Sequence, residues 1–121
     1  MIRIKLGTIY HFGIFVSEDE VIQFGYPPLP EYQRPIDEVV VIATDIDTFA
    51  CGQIVETAVC ERKEKRRRFA SAKTVALARE ALGRGGYDLL RNNCEHFAYE
   101  CYLGEHKSEQ IEDAIKKMTR T

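Results

Sequence analysis

Residues 92–97 read Asn-Asn-Cys-Glu-His-Phe, and this stretch places a cysteine where a helix should begin. Asn92 is a residue type that caps helix N-termini well, and Glu95, three positions on, occupies the place of a capping-box acid. Cys94 then falls in the first helical turn, beside unpaired backbone N–H groups and the positive end of the helix dipole. Such surroundings favour the thiolate, so we expect a lowered pKa for Cys94.

A thiol nucleophile needs a base within hydrogen-bond reach and a third group that orients this base. His11, far upstream, is the base that we expect for Cys94. It lies in a run rich in β-branched and aromatic residues, 9–16, which predicts a buried strand. His96 should point away from the thiol around the helix, and His106 lies in a short polar linker. We therefore interpret His96 as structural and His106 as a solvated surface residue.

The third group is expected from the second arm of a hairpin. If the polar turn after the first arm contains three residues, Val16 faces Glu20 and Gly13 faces Gln23. His11 and Gln23 then become diagonal neighbours on one face of the sheet, with open space above Gly13. A change of one residue in the turn would put the two side chains on opposite faces, so the geometry depends on the turn.

The remaining pattern predicts one α+β domain over residues 1–121, in which an antiparallel sheet carries helices on one side. Further strands are expected at 2–6, 38–43 and 52–59, a proline-rich loop at 25–35 and a short helical turn at 45–49. Helices are expected from a Ser71 cap to a stop at Gly83, over 93–103 with Gly104 as C-cap, and from Ser108 onward.

Composition narrows the class of protein. The 121 residues are 45% hydrophobic and 30% charged, with a net charge of −2, which gives no general attraction to nucleic acid or membrane. The apolar runs are too short for a transmembrane helix, and the first residues alternate as a strand does and lack the apolar core of a signal peptide. We expect a cytoplasmic protein.

The other cysteines are Cys51, Cys60 and Cys101, which we interpret as structural. Four cysteines are too few for a disulfide scaffold and lack the C-x-x-C spacing of a metal site. We therefore expect neither a metal nor another cofactor.

A basic run carries six positive side chains in seven positions: Arg62, Lys63, Lys65, Arg66, Arg67 and Arg68. A solvated loop is the first interpretation. Peripheral contact with an anionic membrane is the second, since each basic residue near such a surface contributes about 1 kcal/mol. Nucleic acid is disfavoured because no aromatic residues are interleaved for stacking on bases.

Three blocks of the chain together resemble the lecithin–retinol acyltransferase-like family, over roughly residues 6–104. They are Tyr-His-Phe-Gly-Ile-Phe-Val at 10–16, Val-Ile-Gln at 21–23, and Tyr-Asp-Leu-Leu-Arg-Asn-Asn-Cys-Glu-His-Phe-Ala at 87–98. That family is a circular permutation of the papain-like NlpC cysteine peptidase fold, with the histidine before the cysteine.

The resemblance implies that Cys94 is the nucleophile and His11 the general base. The third position departs from the family pattern, because family acyltransferases usually carry a second histidine where this chain has Gln23. A glutamine still exchanges one hydrogen bond with an imidazole, but it cannot share positive charge.

The function that the resemblance implies is acyl transfer to or hydrolysis of a lipid-like ester, commonly a glycerophospholipid, through an acyl thioester on Cys94. The short amphipathic helix at the end of the chain would make any membrane access peripheral. Two alternatives stay open: a cysteine amidase or peptidase of the NlpC type, and a catalytically weak binding or regulatory module, which Gln23 keeps open.

Overall fold

The computed structural model of the protein describes residues 1–58 and 66–119. Within these ranges the strands form one antiparallel sheet with the order β4-β3-β2-β1-β5. The strands are β1 (Ile2–Leu6), β2 (Ile9–Ser17), β3 (Glu20–Phe24), β4 (Val41–Thr44) and β5 (Glu56–Thr57). The helices are α1 (Ile46–Ala50), α2 (Ser71–Glu80), α3 (Cys94–Leu103) and α4 (Glu109–Thr119), and short 3-10 turns lie at Pro30–Tyr32 and Ile36–Glu38. The predicted α+β class is confirmed.

The hairpin of β2 and β3 has the register that the candidate site requires. Gly13 pairs with Gln23 as predicted, but the predicted pairing of Val16 with Glu20 is wrong, because Ser17 pairs with Glu20. The turn is thus one residue shorter than expected, and a β-bulge between Phe15 and Ser17 absorbs the difference. The bulge returns the hairpin to the predicted register from Phe15 and Val21 onward, so Gly13 still lies opposite Gln23.

Helices cover both faces of the sheet, so the prediction that they lie on one side is wrong. One core packs side chains of β2, β3 and β4 against α2 and α3; its buried members include Phe12, Ile14, Ile22, Phe24, Val41, Ala78, Phe97 and Ala98. On the opposite face Phe49 of α1 packs with Ile4 and Val21. The reason is the alternation of β3, whose neighbouring residues Val21 and Ile22 are both fully buried and so need cover on both sides.

Several predicted boundaries shift by a few residues. The strand expected at 38–43 begins only at Val41, because a 3-10 turn precedes it, and the strand expected at 52–59 is reduced to Glu56–Thr57 within the described residues. Ser71 is the first residue of α2 rather than its cap. Gly104 does end α3, in the left-handed conformation at φ 74°. Cys60 and residues 62–65 of the basic run lie outside the described residues.

No helix within the described ranges is both long and apolar enough to cross a bilayer.

The space above Gly13 is filled by an aromatic ring. A Cβ at Gly13 would lie 2.7 Å from Cε2 of Phe49. Gly13→Ala should therefore displace Phe49 and lower the free energy of unfolding by about 1–3 kcal/mol, the usual cost of overpacking a core. Urea denaturation measures this change. Gly85→Ala is the matched control, because its Cβ would meet no atom closer than 3.8 Å; equal stability of the two variants would contradict the prediction.

Candidate active site

Cys94 is the first residue of α3, and a reciprocal cap holds it there. The side-chain carbonyl of Asn93 accepts hydrogen bonds from the backbone N–H groups of Glu95 (2.9 Å) and His96 (3.1 Å). In return the Asn93 N–H donates to Nδ1 of His96 at 3.0 Å. The cap is therefore one residue later than predicted, with Asn93 and His96 in place of Asn92 and Glu95. The structural interpretation of His96 agrees with this bond.

The surroundings of the Cys94 sulfur oppose ionisation. Burial, together with a smaller effect of the negative charge of Glu95, raises the pKa of Cys94 to about 11. The backbone N–H groups of Phe12, Glu95 and Cys94 itself lower the pKa, but they do not offset the burial. The predicted lowering of the Cys94 pKa is therefore wrong: the helix start acts in the expected direction, and desolvation of the buried thiol outweighs it.

His11 is oriented by a chain of hydrogen bonds through Gln23. The Thr44 hydroxyl donates to the Asp45 carbonyl (3.0 Å) and so accepts from the Gln23 amide nitrogen (2.8 Å). This leaves Oε1 of Gln23 to face Nε2 of His11, at 2.7 Å. Because a carbonyl oxygen only accepts, His11 carries its proton on Nε2 and has a free lone pair on Nδ1. The structure thus gives His11 the tautomer that a base needs.

Burial keeps the His11 imidazole neutral. It lowers the pKa of His11, and the bond to Gln23 offsets only part of this effect. The imidazole packs against the ring of Phe49, with 5.4 Å between centroids. On its other side, a Cβ at Gly25 would stand 3.5 Å from Cε1 of His11 and 3.4 Å from the ring of Tyr87. The resting site therefore pairs a neutral imidazole with a neutral thiol.

Cys94 and His11 approach each other from opposite faces of the sheet. Cys94 belongs to the core beneath α2 and α3, whereas His11 lies on the face covered by Phe49. They come together because β3 ends at Phe24, and Gly25, at φ +106°, turns the chain away.

The residues of β2 before Gly13 have no β3 partner. The Cys94 sulfur therefore reaches the backbone of β2 there and lies 4.0 Å from the Tyr10 carbonyl oxygen. Among the described residues no hydrogen bond joins the thiol to His11, so the thiol must rotate from Tyr10 toward Nδ1 before it transfers its proton.

Both side chains line one cavity of about 590 Å³. Its wall is largely apolar and aromatic, and Arg34 is its one permanently charged side chain among the described residues; the apolar and aromatic members include Leu6, Ile9, Tyr26, Tyr32, Ile36, Val39, Tyr87, Leu89 and Ile111. Within the described ranges no three His, Cys, Asp or Glu side chains gather in a way that could hold a metal ion.

Sequence reasoning missed three groups at this site. Thr44 anchors Gln23, and only the pairing of β4 with β3 brings the two together. The sequence predicts Glu95 as a capping residue. In the structure Glu95 is 2% exposed, and its carboxylate accepts hydrogen bonds from the Ser108 hydroxyl and the Gln110 N–H at the start of α4. Gln110 lies near the end of the chain, and no local pattern marked it as part of the cavity wall.

His106 is exposed at the surface, as predicted, but it also makes contacts that the sequence did not predict. Its ring stacks on His96 with 4.4 Å between centroids. It also forms an ion pair with Glu100 and a hydrogen bond with the Arg91 carbonyl. These contacts join the loop after α3 to the helix and stand apart from the cavity.

The rate of Cys94 alkylation should report the raised pKa. Only the thiolate reacts, so the rate with iodoacetamide should rise about tenfold per pH unit from pH 7 to near 10, without a plateau at neutral pH. Peptide mass spectrometry follows Cys94 separately from Cys101, whose pKa burial raises to about 12 and which should react more slowly still. A plateau between pH 5 and 8 would instead reveal a preformed thiolate–imidazolium pair and contradict this description.

Removing the Gln23 amide should allow the His11 proton to occupy either ring nitrogen. Gln23→Met keeps the side-chain length but leaves the Nε2–H of His11 without its acceptor, at a cost of about 1–3 kcal/mol in stability. Long-range ¹H–¹⁵N spectra should show a single Nε2–H tautomer in the parent protein and a mixture in the variant. Gln53→Met, at an exposed position, serves as the control. An unchanged tautomer in Gln23→Met would mean that other groups orient the ring.

No curated protein sequence matches the chain. The family model described as lecithin retinol acyltransferase matches residues 1–107, which include Cys94, His11 and Gln23 and leave α4 outside. A match over this much of the chain establishes the relationship: the protein belongs to the lecithin retinol acyltransferase family.

Proposed function

We propose that the protein is a thiol-dependent acyltransferase or hydrolase that acts on a lipid-like ester through an acyl thioester on Cys94. Membership of the family supports acyltransferase- or hydrolase-type chemistry in general. The observation that carries the finer proposal is the placement of Cys94 and His11 on the wall of one largely apolar cavity, with His11 oriented through Gln23.

The cavity is suited to an acyl chain. Its volume of about 590 Å³ is that of an ordinary small-molecule site. Three of its apolar residues remain more than half exposed, Ile9 at 54%, Ile36 at 58% and Leu89 at 58%. Each methylene group that an acyl chain buried against such residues would contribute about 0.8 kcal/mol. A purely polar substrate would gain nothing from these surfaces.

The proposed reaction starts from the neutral pair. As the Cys94 sulfur attacks the ester carbonyl carbon, Nδ1 of His11 takes the thiol proton, and the backbone N–H of Cys94 donates to the developing oxyanion. The C–O bond then breaks, and the leaving alcohol takes the proton from Nδ1. Water or a second acceptor next attacks the thioester while Nδ1 receives its proton. The Cys94 sulfur leaves and regains that proton. Oε1 of Gln23 stabilises the transient imidazolium by its dipole.

Arg34 supports a donor with an anionic head group. It is the one permanent charge among the described wall residues, and Arg side chains bind phosphate oxygens with paired, charge-assisted hydrogen bonds. Its Nη1 already donates to the Gln33 carbonyl at 2.8 Å, a bond that steadies the guanidinium near the wall. A phosphodiester next to the acyl ester, as in a glycerophospholipid, has this chemistry.

Peripheral contact with an anionic membrane through the basic run is also part of the proposal. The described part of the run, Arg66, Arg67 and Arg68, is exposed, and Arg67 forms an ion pair with Glu105 at 2.6 Å. Exposed cations are attracted to anionic lipid, and an ion pair on a surface is weak enough to exchange for a head group.

Intact-protein mass spectrometry after mixing with a short-chain phosphatidylcholine tests the covalent step. The parent protein should gain the mass of one acyl group, and Cys94→Ala should gain none. An equal gain on Cys94→Ala would exclude Cys94 as the nucleophile. Absence of a gain with both phosphatidylcholine and an uncharged p-nitrophenyl ester would favour the binding module, whereas a gain with the p-nitrophenyl ester alone would reject the lipid donor and keep Cys94 as the nucleophile.

The role of Arg34 is tested by comparing two donors. Arg34→Gln should raise KM for the phospholipid about tenfold or more, since a hydrogen bond to a charged group is worth about 1.5–3 kcal/mol. It should leave KM for an uncharged p-nitrophenyl ester unchanged. Arg91→Gln, at an exposed position outside the cavity wall, is the matched control. Equal effects of Arg34→Gln on both donors would contradict recognition of the head group.

A further inference from the structure

The side-chain amide of Gln110 takes the place of a neighbouring strand beside β2. Its Oε1 accepts from the Tyr10 N–H at 2.7 Å, and its Nε2 donates to the Tyr10 carbonyl at 3.2 Å. These are the two backbone groups that β3 would bond if it continued, but β3 pairs with β2 only from Gly13 onward. One side chain from the far end of the chain therefore completes the hydrogen bonds of the strand that carries His11.

A buried carboxylate holds this amide in place. Oε1 of Glu95 accepts from the Ser108 hydroxyl at 2.6 Å, from the Gln110 backbone N–H at 3.2 Å and from the Gln110 amide at 3.3 Å. Glu95 and Ser108 are each 2% exposed. Such a buried carboxylate is costly unless its oxygens are satisfied, so the three donors have to stay together. Because Glu95 directly follows Cys94, the hydrogen bonds of Glu95 join the start of α4 to the start of α3.

The backbone groups next to these hydrogen bonds belong to the candidate active site. The Tyr10 carbonyl that Gln110 binds lies 4.0 Å from the Cys94 sulfur. The next groups along the strand are the imidazole of His11 and the N–H of Phe12, which stabilises the Cys94 thiolate. The positions of nucleophile and base relative to each other thus depend on how firmly residues 10–12 are held against the start of α3.

We propose that Gln110, supported by Ser108 and Glu95, is a positioning residue that fixes the strand segment of His11 against the helix start of Cys94. It acts through Tyr10 and does not touch the reacting atoms, because both functional atoms of its amide are already hydrogen-bonded. Its effect on catalysis rests on the function proposed above; its effect on the reactivity of the thiol does not.

Part of this arrangement lies outside the residues that the family match covers, whereas Tyr10 and Glu95 lie within them. The match ends at residue 107, and both Ser108 and Gln110 follow it. No residue of α4 is buried, so the helix holds its place without a core of its own. The hydrogen bonds of Gln110 and Ser108 therefore account for much of its attachment to the domain, and the segment that begins α4 acts as an addition that completes the site.

The test replaces Gln110 with methionine, which has a similar length and cannot form these hydrogen bonds. Lys117→Met puts the same residue at an exposed position of α4, and Ser108→Ala weakens the support of Glu95. Alkylation of Cys94 by iodoacetamide is measured against pH, together with kcat and KM for the acyl donor. The charged side chains of Arg3, Glu95, Glu109 and Asp113 border the small cavity beside Gln110. Arg34 and the titratable His11 line the larger cavity, and all variants keep these groups.

In Gln110→Met the rate of Cys94 alkylation should fall about tenfold at each pH between 7 and 10, because the thiolate loses the fixed N–H of Phe12. The value of kcat should fall about tenfold, with KM within twofold, since alignment is lost and binding is not. Ser108→Ala should change both quantities in the same direction, and Lys117→Met should change neither.

Three results would overturn the positioning role. One is an alkylation profile and a kcat per folded molecule that are both unchanged in Gln110→Met. If only the melting temperature fell, the role of Gln110 would be structural. Another is faster alkylation of Cys94 at each pH in Gln110→Met, which would mean that Gln110 only excludes water. The third is an equal effect of Lys117→Met. Slower alkylation of Gln110→Met, in a protein whose parent forms no acyl adduct, would leave the positioning role intact and reject the proposed function.

Discussion

The pairing of β2 with β3 is the constraint on which the candidate site depends. It sets Gly13 opposite Gln23, and the bulge between Phe15 and Ser17 keeps this register despite the short turn. Gln23 and His11 therefore share a face and bond at 2.7 Å. The same pairing ends at the start of the site, because Gly25 turns the chain away and leaves the backbone of β2 open to Cys94 and Gln110.

Burial has opposite consequences for fold and reactivity at this place. The core beneath α3 includes Cys94, and removing this side chain from water contributes to packing. The same burial raises the pKa of Cys94 to about 11 and lowers that of His11, so neither group is charged at rest. In the mechanism proposed above, charge is separated only at the moment of reaction, when the substrate carbonyl and fixed N–H groups share the negative charge.

Gln23 fits this neutral site better than it would fit a charged one. An amide held by Thr44 fixes the imidazole as its Nε2–H tautomer without adding a charge to a buried position. A carboxylate there would favour a protonated His11, whereas a second histidine would bring its own titration. The departure from the family pattern is thus accompanied by a complete set of hydrogen bonds and leaves no polar atom of Gln23 without a partner.

The sequence alone predicted most strands and helices and the two candidate catalytic residues, because these follow from local patterns: alternation in residues 9–16, glycine at the end of α3, and a polar cap before Cys94. It placed His11 and Gln23 on one face because the side-chain period of a strand is fixed. It erred by one residue at the turn and at the cap, where neighbouring residues of similar type compete for the same role.

Only the tertiary structure decided the chemical state of the site and its outer support. The pKa of Cys94 depends on desolvation by residues distant in sequence, and this outweighs the local effect of the helix start. The contacts of Thr44 with Gln23 and of Gln110 with Tyr10 join positions 21 and 100 residues apart. Local propensity carries no information about such pairs, because their energy exists only once the sheet and the helices have packed.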